Sequence, residues 1–308
     1  MRQRDLAAVI LVFGSLNIDL VFKVAALPRA GETVSAGSLA TLPGGKGANQ
    51  AVAAARAGGE VAMAGAVGDD AFGRSLLANL AAAGVDRHLV RSVAEPTGTA
   101  AVAVDAGGEN QILVAAGANA LARAADVPEA FLGPRTTLLL EREVPAEESA
   151  ALAARAKARG GRVILNLAPM GSVPAALLAS LDVLVVNEHE VVLLPGAGAT
   201  EREAAAFAAH YGLTLVVTLG AAGAAAYRPD GSSLRVGALA VTPVDTTGAG
   251  DAFVGVLAAA LDRGHTLEDA MRRASVAGAL ACLKLGAQAA LPTAAEIEEA
   301  LPRLGPAT

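Results

Sequence analysis

The stretch AEESAALAARAKARG (146–160), followed after one glycine by RVILNL (162–167), decides the fold. An alanine-rich run of helical length ends in glycine, a common helix stop, and an unbroken apolar run comes next. The same order recurs along the chain. TTLLLE (136–141) precedes this unit, and DVLVVN (182–187), EREAAAFAAHYG (201–212) and TLVVTLG (214–220) follow it. Nearer the N-terminus, AVILVF (8–13), ANQAVAAARAG (48–58), VAMAGAV (61–67) and FGRSLLANLAAAG (72–84) repeat the pattern. Strands that are apolar throughout, separated by helices, indicate a parallel sheet covered on both faces. The main body is therefore expected to be a doubly wound α/β sandwich with a mainly parallel sheet flanked by helices.

Residues 15–43 and 97–115 break that rhythm with shorter, alternating β patterns. AVAVDAGGENQILVA (101–115) reads as a hairpin turning near Gly107 and Gly108. Neither segment is a βαβ unit, so both are expected to form a small β lid on a core made of 1–14, 44–96 and 116–308.

Composition narrows the function. A chain of 308 residues, 54% hydrophobic and 18% charged, is long enough to bury a large core. A net charge of −6 without a basic run, and 3% aromatic content without tryptophan, argue against nucleic acid as a partner. The single Cys282 forms no internal disulfide and reads as a packing residue, in keeping with a reducing, cytoplasmic setting. The four histidines lack metal-ligand spacing. No apolar segment reaches the roughly 20 residues of a membrane span. MRQRDLAAVILVF (1–13) has the outline of a signal peptide, but Asp5 interrupts its basic region and no A-x-A site follows. A buried first strand is expected there.

Four motifs have chemical content. PGGKGANQ (43–50) is neither a Walker loop, since Ala40 stands where the first glycine belongs and Gly47 follows Lys46, nor a G-x-G-x-x-G fingerprint. Its glycines still let backbone approach a ligand, and a helix starting near Ala48 would fix Lys46 and Asn49 as partners for sugar hydroxyls. A plain turn with a solvated lysine fits equally well. VDTTGAGDAF (244–253) places Gly248, Ala249 and Gly250 at the start of a helical run, where outward amides and the helix dipole favour an anion. Asp251 is then either a helix N-cap or a base within reach of an attacking hydroxyl. In VVNEHE (185–190), Asn187 and Glu190 either share a helical face suited to a hydrated divalent cation or form a helix start. VVTLGAAGAAAY (216–227) reads as a strand entering a loop suited to phosphates or a nucleoside, or as a hairpin turn.

Taken in order, GSLNIDL (14–20), PGGKGANQAV (43–52), VGDDAFG (67–73), NEHE (187–190), VTLGAAG (217–223) and DTTGAGDAF (245–253) resemble the PfkB-type sugar kinases, the ribokinase-like family. The likeness runs from about residue 9 to 302. AAGANA (115–120) and GAQAALP (286–292) resemble the members that act on ribose. The resemblance implies ATP-dependent phosphorylation of a sugar's primary hydroxyl, with D-ribose expected and fructose or a nucleoside such as adenosine as alternatives. A non-catalytic sugar-binding protein on this fold would be expected to lack Asp251 or the GAG turn.

The resemblance also implies residue roles. Asn17, Asp19, Gly45, Lys46, Asn49 and Glu143 would hold the sugar, with Glu141 a neighbouring competitor for Glu143. Asp251 would be the general base, and Gly248, Ala249 and Gly250 the anion hole. Asn187 and Glu190 would act on Mg²⁺ through water, and Asn187, Thr218, Gly220, Gly223, Gly250 and Ser275 would serve ATP. Asp245 and Thr247, with backbone groups of Ala281, Lys284 and Gly286, would hold K⁺. Ala290 departs from the family there, since a serine oxygen is replaced by a methyl group. The small sheet's edge suggests a homodimer through the lid.

Overall fold

The computed structural model describes residues 9–198 and 200–307. Residues 1–8, which carry most of the signal-peptide outline and the expected first strand residue Ala8, lie outside the described residues. Strands β1 (Val9–Phe13), β2 (Asn17–Lys23) and β3 (Ser38–Gly44) lead into helix α1 (Lys46–Arg56). Then come β4 (Val61–Gly68), α2 (Ala71–Ala82), β5 (Asp86–Val93), β6 (Gly98–Val104), β7 (Asn110–Ala115), β8 (Thr136–Leu140), α3 (Ala146–Ala158) and β9 (Arg162–Asn166). A short α4 (Ala175–Leu178) precedes β10 (Val183–Asn187), α5 (Glu188–Val191), α6 (Glu201–Tyr211), β11 (Thr214–Thr218), β12 (Ala224–Tyr227) and β13 (Ser233–Val236). The chain ends in α7 (Ala249–Asp262), α8 (Leu267–Ala281), α9 (Ala287–Ala290) and α10 (Ala294–Ala300).

Nine strands form the large sheet in the order β13-β12-β11-β10-β9-β8-β1-β4-β5. Seven run parallel, and β12 and β13 extend one edge antiparallel. Alternate residues feed opposite cores, as a pleated strand requires. Ile10, Val12 and Leu139 pack with α1, α7 and α8 on one face, while Leu11, Phe13 and Leu140 pack with α3 and α6 on the other. This is the α/β sandwich expected from the continuous apolar strands.

The strand order reverses next to β1. From β1 the chain moves outward through β4 and β5, then returns to β8 on the other side and continues outward to β11. A crevice opens beyond the carboxyl ends of strands where the winding reverses, and open α/β sheets bind their ligands there. The residues just after β1 and β8 are 14–16 and Glu141 to Glu143.

A separate four-stranded sheet has the order β3-β2-β6-β7. The hairpin of β6 and β7 turns through Asp105, whose side chain accepts the amides of Gly107 and Glu109. Only residues 14–16 separate β1 from β2, and β3 runs into α1 through Gly45. The small sheet therefore delivers Asn17, Asp19 and the glycine-rich stretch to the end of β1. Among the described residues no helix is long and apolar enough to cross a membrane.

Helix α1 sits close to β1 because Gly47 leaves room. A β-carbon at Gly47 would lie 2.5 Å from the Ser15 nitrogen and 2.6 Å from the Gly14 carbonyl carbon, with only backbone there to yield. Gly47→Ala is expected to lower stability by about 1–3 kcal/mol through overpacking. Urea unfolding checks this, and an unchanged midpoint would contradict it.

Candidate active site

The site is organised by a carboxylate at the start of α7. Gly248 is the N-cap, with φ of 79°, a left-handed conformation that glycine adopts without strain. Ala252 is the first residue to bond back, donating its amide to the Gly248 carbonyl at 2.8 Å. Amides 249–251 thus precede the intrahelical ladder. That of Ala249 turns back to the Thr246 carbonyl at 3.2 Å, leaving those of Gly250 and Asp251 as the outward donors of the turn. The capping alternative for Asp251 does not describe the structure, because Asp251 lies in the first turn after a glycine cap.

Asp251 is buried and held from α1. Asn49 Nδ2 donates to its Oδ2 at 2.9 Å and Gln50 Nε2 donates to its Oδ1 at 2.9 Å. The helices can come this close because Gly255 lies one turn further along α7. A β-carbon there would be 2.5 Å from the Gln50 carbonyl oxygen and 2.6 Å from Ala53 Cβ. Burial pushes the Asp251 carboxyl up, while Lys46 and the two amide donors oppose that shift.

At the end of β1 and β8 a second set of bonds locks the switch point. Glu141 is fully buried, and its Oε1 accepts the Ser15 amide at 2.7 Å while Oε2 accepts the Glu143 amide. Glu143 Oε2 accepts from Ser15 Oγ at 2.6 Å, from the Lys46 amide at 3.1 Å and from Asn17 Nδ2 at 3.4 Å. Glu141 is therefore spent on backbone, whereas Glu143 reaches Asn17 and the start of α1. Asn119, inside AAGANA (115–120), is a site residue that the sequence pattern alone does not assign. Its Nδ2 donates to Asn17 Oδ1 at 2.7 Å and its Oδ1 accepts the Leu16 amide at 2.9 Å, fixing the Asn17 side chain.

Asp19 completes the group. Burial, then the charges of Glu143 and Asp251, raise its carboxyl to about 6, with Lys46 opposing. Burial lowers the Lys46 ammonium, but Asp251, Glu143, Glu141 and Glu190 outweigh it and raise the group overall. The expected residues Asn17, Asp19, Gly45, Lys46, Asn49, Glu143 and Asp251 thus converge around one cation. Asn49 Oδ1 is buried without a hydrogen-bond partner.

Two further groups border this cluster. Asp245 Oδ1 accepts the Thr247 amide and Oδ2 the Gly286 amide, both at 2.9 Å, tying the turn before α7 to the loop before α9. Burial pushes Asp245 up, yet the bonds from Thr247 and Gly286 prevail and hold it below the usual carboxylate range. Ala281 ends α8, and the next carbonyl, of Cys282, accepts the Val244 amide at 2.8 Å. Lys284 Nζ instead faces Glu296 at 3.3 Å, and Ala290 is buried. The other group lies at the ends of β10 and β11, where Asn187 and Thr218 are register partners. Asn187 and Glu190 form a capping box, so the helix-start reading holds: Asn187 Oδ1 accepts two amides and Glu190 Oε2 accepts the Asn187 amide at 2.8 Å. Gly220 and Gly223 turn β11 into antiparallel β12, so this segment is also the hairpin turn weighed from sequence. Ser275 lies apart, donating to the Gly237 carbonyl at 2.6 Å.

The chain is similar to known proteins over nearly its whole length. The model of the pfkB family of carbohydrate kinases matches residues 7–294. The ribokinase of Bacillus subtilis is 38% identical over 300 residues, covering 95% of this chain and 99% of that protein. The crystal structure of a Thermotoga maritima ribokinase superposes with a TM-score of 0.89 at 33% identity, covering 96% of this chain and 99% of the other. The structure of an Arabidopsis thaliana ribokinase complexed with ribose and ATP gives 0.87 at 33% identity, with coverage of 96% and 99%.

The buried carboxyls have a consequence for stability. Burial, with the charge of Glu143, pushes Glu141 up to about 8, against N–H bonds from Glu143 and Ser15. Raised acids hold protons in the folded chain that the unfolded chain releases. Their stabilising contribution is full below the ordinary carboxylate range and is lost as pH rises through about 6 for Asp19 and about 8 for Glu141. Unfolding free energy from denaturant titrations should therefore fall between about pH 5 and pH 8, and Glu141→Gln should flatten that fall. The variant should also lose about 1–3 kcal/mol, because an amide replaces one of two acceptors. A fall of equal slope in the variant would contradict the assignment.

Proposed function

The chain belongs to the pfkB family of carbohydrate kinases, and from that premise we propose that it transfers the γ-phosphoryl group of ATP to the primary hydroxyl of D-ribose, forming D-ribose 5-phosphate and ADP. The observation that carries this reading is Asp251: a buried carboxylate, gripped by two amide donors, in the turn whose free amides suit an anion. Ribose as acceptor is supported by the likeness to the Arabidopsis ribokinase complexed with ribose and ATP.

In this reading Asn17, Asp19, Lys46, Asn49 and Glu143 take the hydroxyls of the sugar. Their polarity favours a small free sugar over a nucleoside, whose base would need apolar surface. Asp251 orients the primary hydroxyl and accepts its proton as that oxygen attacks the γ-phosphorus. The bond from phosphorus to the β–γ bridging oxygen breaks, and ADP leaves with the electron pair. Amides at Gly250 and Asp251, joined by that of Ala249, would stabilise with the dipole of α7 the charge developing on the phosphoryl oxygens. Gly248 holds the turn, and the Ala249 amide would exchange its Thr246 bond for phosphate. ATP is assigned to the ends of β10 and β11, with Asn187, Thr218, Gly220, Gly223 and Gly250 along the phosphates and Ser275 on the far side of the nucleotide. The small sheet would close over the sugar and keep out water, which otherwise competes as acceptor.

Two metal ions suit the residues present. Glu190 is buried, feels the charge of Lys46, and engages only Oε2 in its cap, so its other oxygen and Asn187 fit an Mg²⁺ held through water. When bound, Mg²⁺ neutralises the phosphate charge. The ionised Asp245, Thr247 and the backbone of 281–286 fit K⁺, although Ala290 offers no side-chain oxygen. A homodimer through the small sheet is supported by its exposed Leu39, Ile112, Leu113 and Val114. The acidic chain with its lone cysteine fits a cytoplasmic enzyme.

An ADP-release assay over ribose, 2-deoxyribose, fructose and adenosine, with and without K⁺, tests the reading. Ribose should give the highest kcat/KM, and Asp251→Asn should lower kcat by about 10²–10⁴. Equal turnover of fructose or adenosine would overturn the substrate, and near-normal turnover by Asp251→Asn would overturn the mechanism.

A further inference from the structure

Asn49 lines the sugar pocket, but its neighbour Gln50 has no part in the reading above. Gln50 is 0% exposed, so no ligand reaches it without displacing the core. Its Nε2 meets Asp251 Oδ1 at 2.9 Å, while its Oε1 is buried with no hydrogen-bond partner. A buried amide oxygen left unpaired is destabilising, a cost that an apolar side chain of the same size would avoid. Packing alone therefore does not account for glutamine here. The compensating interaction is the charge-assisted bond to the Asp251 carboxylate.

The setting makes this bond specific. Asn49 and Gln50 are the fourth and fifth residues of α1, and each takes a different oxygen of Asp251. Two donors on two oxygens fix the plane of a carboxylate, whereas one donor leaves it free to rotate. The approach depends on Gly255, which contacts the Gln50 carbonyl itself. Asn49 is 6% exposed and is assigned to the sugar, whereas Gln50 is fully enclosed and its side chain bonds only Asp251.

We propose that Gln50 is a positioning residue for phosphoryl transfer: it holds the Asp251 carboxylate in one orientation, and in its ionised form, while Asn49 engages the sugar. The inference rests on Asp251 acting as the base. The other charged groups facing Asp251 are Lys46 on α1, Asp19 on β2 and Glu143 after β8. Gln50 bonds none of these, so a change at Gln50 reports on Asp251.

The test uses the full-length enzyme with ribose, ATP and Mg²⁺, measuring kcat, KM and the pH profile of kcat, which reads the sugar-bound complex. In Gln50→Met, which keeps the shape without the donor, kcat should fall about 10- to 100-fold while KM for ribose changes less than about threefold. The acidic limb of kcat should move up by about one pH unit, the size expected for losing one hydrogen bond to an ionised group. Gln50→Glu, of equal volume, should move the limb further, because two adjacent carboxyls share a proton. If Gln50→Met does not fold, Gln50→Glu decides the matter by the same limb. A merely structural role predicts a lowered Tm with the limb unmoved, and that result would overturn the proposal. Asp251→Asn, assayed alongside, separates the two failures. If it keeps turnover, the base assignment itself is wrong; if it loses turnover while both Gln50 variants keep the wild-type limb, only the role of Gln50 is wrong.

Discussion

The contact of α1 with α7 at Gly255 is the constraint from which the site follows. A carboxylate taken out of water must be given donors or be neutralised. Asp251 can be buried at the head of α7 because α1 approaches near enough for Asn49 and Gln50 to supply those donors, and α1 can approach only where α7 carries no β-carbon. The start of α1 is in turn set by Gly47 against the end of β1 and by the Lys46 amide on Glu143. A sheet edge, two helices and the loop after β8 thus share one small volume at the point where the winding reverses.

Charge organises that volume. Asp19, Glu141, Glu143 and Asp251 surround Lys46, and Glu190 adds a more distant contribution. The burial that raises Asp19, Glu141 and Asp251 also makes fixed charges effective, since both follow from removing water. Glu141 illustrates the difference between holding and reacting. It is pinned by two backbone amides and supports Ser15 and Glu143, whereas Asp251 offers its carboxylate to the pocket from side-chain donors.

Much of this was legible in the sequence, and the remainder was hidden for identifiable reasons. Strands such as DVLVVN and RVILNL announced themselves because a parallel sheet buried on both faces needs residues that are apolar throughout. Strand β5, DRHLVRSV, did not, because it is an edge strand with half its side chains in water. AAAY at β12 has no β-branched residue, and its pairing with β11 is what makes it a strand. The GAG turn and Asp251 are visible by spacing, yet spacing alone leaves a cap as an open alternative, which φ at Gly248 decides. Asn119 and Gln50 lie inside AAGANA and PGGKGANQ but act on Asn17 and Asp251, contacts 102 and 201 residues away in the chain that local pattern does not encode.

In the proposed reaction, Asp251 meets the acceptor hydroxyl in the turn that receives the phosphoryl group. That contact is tested most directly by a crystal structure of the enzyme with ribose and a non-hydrolysable ATP analogue. The primary hydroxyl oxygen of ribose should lie within about 3 Å of an Asp251 carboxylate oxygen, with the γ-phosphate facing the amides of Gly250 and Asp251. A primary hydroxyl bound instead by Asp19 or Glu143, with Asp251 beyond hydrogen-bond reach, would contradict it.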